Sequence, residues 1–143
     1  MISKVIIGKL MIGTASLLGI SAFVNGLFMM IAPETWYWLV PGVPDRGPFN
    51  QHFLRDIGMI YLLIGAALFY GALYKSTLYQ KYRALLWLMP VAWLVCHAIF
   101  HAWEVVVGIT GPESLIIDFA GVTLPALLGM GLIYGNLKLS GKK

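Results

Sequence analysis

Four stretches of this chain are apolar with few interruptions, and each is long enough to cross a hydrocarbon layer of roughly 30 Å as a helix. The pattern predicts helices over about 5–32, 50–74, 83–107 and 113–137, with a loop over 33–49. Pro33 ends the first helix, and Pro33, Pro41, Pro44 and Pro48 keep the following connector from being helical throughout. Within it, Trp36-Tyr37-Trp38 are expected at the headgroup level, as anchors or as a lid over the bundle mouth. Asn50 is a good N-cap for the second helix. Pro90 bends the third helix, Gly108 and Gly111-Pro112 end it, and Pro125 bends the fourth. Gly58, Gly65 and Ala72 recur every seven residues and form a seam for close helix packing. Gly8, Gly13, Gly19 and Gly26 in the first helix and Gly131-x-x-x-Gly135 in the fourth are further contact positions.

Composition agrees with this plan. Of 143 residues, 59% are hydrophobic and 11% charged, which places the chain among membrane proteins and leaves no room for a separate soluble domain. The expected class is all-α, a single transmembrane four-helix bundle whose immediate partner is the lipid bilayer. Lys4 and Lys9 precede the first apolar run as in a signal peptide, but the run is too long and has no A-x-A site, so an uncleaved first helix is expected. Cys96 is the one cysteine, which excludes an intrachain disulfide and a cysteine-rich metal site.

The net charge of +4 is a topology signal, not a nucleic-acid patch. Lys4, Lys9, Lys75, Lys81, Arg83, Lys138, Lys142 and Lys143 fall at one end of the helices and Arg46 at the other. The positive-inside rule then places both termini in the cytoplasm. With that orientation all three histidines and all six acidic residues belong to the outer half.

Two polar clusters lie there. His97, His101 and Glu104 stand at i, i+4 and i+7, so they project from one face of the third helix. His52, Arg55 and Asp56 open the second helix, with Tyr61 beyond them, and Asp118 opens the fourth. Ionisable groups inside membrane segments are expensive and mark functional sites by default. Two imidazoles and a carboxylate suit a transition metal, copper, zinc or iron. The leading expectation is therefore a metal held by His97, His101, Glu104 and His52, with Arg55, Asp56, Asp118 and Tyr61 around it. Haem would need His52 to face a histidine of the third helix across the bundle. The alternatives are a proton or quinone-linked relay, and an accessory subunit of a membrane redox complex in which the polar groups are structural. The sequence leaves open whether the protein is an enzyme and whether a membrane partner or a second copy completes it.

The Pro/Trp-rich loop followed by Arg55-Asp56-x-Gly58 opening a glycine-spaced helix resembles the small four-helix bacterial membrane proteins of the DoxX-like type. The resemblance implies a bacterial inner-membrane location and, for some members, a role as a membrane subunit of a quinone-linked oxidoreductase. It assigns no function to the His97-x-x-x-His101-x-x-Glu104 element.

Overall fold

The computed structural model describes residues 4–73 and 80–140. The segment 74–79, which holds most of the basic turn expected between the second and third helices, and the tail residues 141–143 lie outside the described residues. The chain forms α1 (Lys4–Ile31), α2 (Pro33–Leu39), a 3-10 turn (Pro44–Arg46), α3 (Gln51–Leu73), α4 (Gln80–Val106), α5 (Ser114–Ile117), a π-helical turn (Phe119–Thr123) and α6 (Leu124–Ser140). Among the described residues four helices are long and apolar enough to cross a membrane: Lys4–Ile31, Gln51–Leu73, Tyr82–Val106 and Phe119–Leu139. Their outward faces carry Leu17, Leu63, Met89 and Leu137, all more than half exposed, a surface suited to lipid and not to water.

The long helices run antiparallel in chain order, and α6 closes the ring against α1. Met11 packs on Gly135 and Trp87 on Gly71 at one end, so the start of α1 and the finish of α6 share that end. We call it the terminal end and the opposite one the loop end. The α1–α3 contact is the tightest, because glycines let the two backbones meet. A Cβ at Gly26 would lie 2.6 Å from the Gly58 carbonyl, and one at Gly65 would lie 2.6 Å from the Phe23 nitrogen. The seven-residue glycine spacing is thus a real seam. Gly8, Gly13 and Gly131 meet nothing within 4 Å among the described residues and are not part of one.

The main core gathers Met11, Ala15, Leu18, Ile64, Leu68, Ala72, Trp87, Val91 and Leu132. A second, smaller core lies at the loop end and comprises Met29, Trp36, Tyr37 and Leu54. The three aromatics of 36–38 therefore do not share one environment. Trp36 and Tyr37 are buried, and only Trp38 and Leu39 point outward. Polar partners inside the bundle explain the difference: Trp36 Nε1 donates to Asn25 Oδ1 at 2.8 Å, and the Tyr37 hydroxyl donates to the Gly47 carbonyl at 2.7 Å.

The other departure is in the fourth apolar stretch, which is three pieces rather than one helix. Pro125 has no N–H to offer, and the turn before it widens, with both Val122 N and Thr123 N donating to the Asp118 carbonyl at 2.8 and 3.3 Å. Such π turns accommodate a break without leaving the helix axis. Asn50 caps α3 through a 3.0 Å bond from Phe53 N to its Oδ1.

Candidate polar centre at the loop end

Tyr37 and two glycines build the site from the loop. Gly42 and Gly47 adopt φ of 79° and 146°, values that L side chains rarely take, and they fold the segment back over the bundle. With Gly47 held by Tyr37, the 3-10 turn delivers Arg46 onto α4 and the start of the fourth span. There its Nη2 donates to Asp118 Oδ2 at 2.5 Å and its Nη1 to Asp118 Oδ1 at 3.3 Å. Nη1 also lies 2.8 Å from His101 Nδ1. Nε is 3.5 Å from Glu104 Oε2, an ion pair by distance in which neither buried atom makes a hydrogen bond among the described residues.

His101 Nδ1 is at the same time 2.8 Å from Asp118 Oδ2. The two contacts at this nitrogen exclude each other. A guanidinium only donates and a carboxylate only accepts, whereas Nδ1 either carries a proton or offers a lone pair. With the proton on Nδ1 the bond to Asp118 forms and the Arg46 contact is lost. With the proton elsewhere, Nδ1 accepts from Arg46 and meets Asp118 only if that carboxyl is protonated.

His101, Glu104 and Asp118 are 9%, 6% and 6% exposed, so this competition takes place largely out of water. Burial is the largest influence on Asp118 and pushes its carboxyl up, but hydrogen bonds from Arg46 and His101, with their charges, outweigh it. The carboxyl is held below its ordinary value of 3.8.

From His101 the polar groups continue inward along one face of α4. The His97 ring meets His101 edge-on at 4.5 Å, and Trp93 stacks on His97 at 6.1 Å with 10° between planes. Trp93 Nε1 is buried with no hydrogen-bond partner among the described residues. The spacing of four residues makes this a ladder of about 12 Å from His101 to Trp93.

The structure therefore joins His97, His101, Glu104 and Asp118, drawn from two helices, and separates the others. The His52 side chain is 90% exposed and pairs with Asp56 at 3.4 Å on the outside of α3. Arg55 Nε donates to the Met30 carbonyl at 3.3 Å and caps α1. Tyr61 packs against the second core. Among the described residues no three His, Cys, Asp or Glu side chains gather as metal ligands. Two features account for this: His52 is turned away, and a guanidinium, not a cation-shaped gap, faces the carboxylates. His52 is equally unavailable as the cross-bundle partner that haem requires.

The residue missed by sequence reasoning is Arg46. A signal for it existed. It is the single basic residue in the loops of the acidic end, and a buried carboxylate needs a counter-charge. No protein family, curated protein or solved structure matches this chain, so the DoxX-like resemblance rests on the helix plan alone.

Proposed function

We propose that this is an integral membrane protein whose loop-end polar centre takes up and hands on protons, serving as the proton-relay or accessory component of a membrane redox system. The observation that carries this reading is the single nitrogen, His101 Nδ1, placed 2.8 Å from both Arg46 Nη1 and Asp118 Oδ2. Within the pair Nδ1 and Oδ2, a proton moves between atoms at hydrogen-bond distance, and Arg46 compensates whichever charge remains on Asp118. Glu104, with one oxygen free of hydrogen bonds, is the acceptor at the mouth, and His97 is the next base inward. In the orientation given by the lysine and arginine bias, this mouth faces outside and both termini face the cytoplasm.

The ladder stops near Trp93, so the protein alone does not conduct protons across the membrane; a partner or a membrane-soluble carrier such as a quinone receives them. Infrared difference spectra recorded during a pH titration of the protein in nanodiscs test this. Expected are imidazole bands and a shift of the Asp118 carboxylate stretch that change together and are both lost in His101→Gln. Spectra of wild type and His101→Gln that do not differ in this carboxylate shift would overturn the proposal.

A further inference from the structure

The second charged group inside the bundle is at the terminal end. Arg83 is 6% exposed, one turn into α4. Its Nε donates to the Gly71 carbonyl at 3.0 Å, and its guanidinium carbon lies 5.6 Å from the centre of the Trp87 ring. Trp87 is itself fixed by a 3.1 Å bond from Nε1 to the Leu68 carbonyl. The head group is therefore held in place and stripped of most of its water.

No carboxylate among the described residues pairs with it. The six carboxylate side chains are Glu34, Asp45, Asp56, Glu104, Glu113 and Asp118, none of them at this end. Of those on the two helices that hold Arg83, Asp56 is nearest to Gly71 along α3, about 22 Å away by helical rise. The carbonyls in the last turn of α3 offset part of the charge, since a helix C-terminus carries about half a negative charge. The remainder is unmatched by any acidic side chain among the described residues, and Lys4, Lys9 and Lys138 stand on the parts of α1 and α6 that share this end.

We propose that Arg83 is the anchor of a phosphate-binding site at the terminal end of the bundle, its ligand being the phosphate of an anionic lipid headgroup. A guanidinium matches phosphate geometry with paired donors, and basic pockets between membrane helices on the cytoplasmic side take such headgroups. The exposed apolar faces of the bundle would receive the acyl chains.

Native mass spectrometry of the protein released from nanodiscs of equal phosphatidylglycerol and phosphatidylcholine content tests the site. Wild type retains phosphatidylglycerol preferentially. Arg83→Gln loses that preference by more than about fivefold, the factor for one basic side chain at a membrane surface, while Lys138→Gln loses no more than that. Equal retention of both lipids by wild type, or an unchanged preference in Arg83→Gln, would overturn the proposal. Because Arg83→Gln also removes a helix cap, the wild-type thermal midpoint gives a readout that needs no variant. It rises in phosphatidylglycerol relative to phosphatidylcholine if the site exists and is the same in both if it does not. The source of the phosphate is read by adding excess inorganic phosphate in detergent. Stabilisation by lipid alone supports the headgroup, stabilisation by both supports a site open to free phosphate, and stabilisation by neither refutes it.

Discussion

At the scale of the residue, Asp118 decides how the polar centre is charged. Its carboxyl is held below the ordinary value of 3.8, so its ionised form stabilises the folded state. That contribution is complete above the unfolded value and is lost as pH falls through the lower folded one. Asp118→Asn is expected to lower stability at neutral pH by on the order of 3 kcal/mol, because it leaves the partly buried Arg46 with Glu104 as its one remaining carboxylate among the described residues. Thermal unfolding of both proteins checks the sign: the gap holds steady from neutral pH down to about 4 and closes in stronger acid. A gap that widened with acid would mean that the carboxyl is neutral in the folded protein.

The residue scale is also where the sequence was hardest to read. His97, His101 and Glu104 were legible because helical periodicity alone puts them on one face. Asp118 was legible as a polar group at the same level, but its role was not, because its partner Arg46 comes from a loop 72 residues away in the chain. Loop geometry depends on Tyr37 reaching Gly47 and on two left-handed glycines, and neither has a periodic signature. His52 misled for the opposite reason. Its depth along α3 agreed with the other histidines, but depth says nothing of which way a helix is turned about its axis.

At the scale of the element, the close approach of α1 and α3 explains how the loop end is kept rigid. Gly26 and Gly58 bring the helices together one to two turns below the second core, on which α2 rests. Gly26→Leu is expected to destabilise the protein by about 3 kcal/mol or more, since the added side chain meets backbone and not a side chain that can move. Gly13→Ala, with nothing within 4 Å, is expected to be neutral or stabilising by up to about 1 kcal/mol. Unfolding both variants in mixed micelles with denaturing detergent checks the contrast, and equal losses would show that the seam is not what holds the pair. The four long helices were legible in the sequence because length and hydropathy decide them. The break of the fourth span at 118–123 was not, because Pro125 announces a disturbance without saying that a π turn absorbs it on the near side.

At the scale of the whole molecule, charge is divided between two ends that do different work. The loop end holds a partly buried arginine among buried carboxylates and a histidine, a set in which the arginine offsets the carboxylate charge. The terminal end buries an arginine with no acidic side chain beside it, a set that attracts an anion. Between them lies an apolar core of Leu68, Trp87, Val91 and Leu132. The polar ladder from Glu104 to Trp93 lies on the loop-end side of that core.

The most direct test of this account is the state of one nitrogen, read from the 15N resonance of His101 Nδ1 in histidine-labelled protein in lipid. The account predicts that wild type averages between protonated and unprotonated Nδ1. It further predicts that Arg46→Gln fixes the proton on Nδ1 toward Asp118, and that Asp118→Asn shifts Nδ1 toward the unprotonated form that accepts from Arg46. The same Nδ1 state in all three proteins would contradict it, because the nitrogen would then have a single partner and the centre would be a structural ion pair.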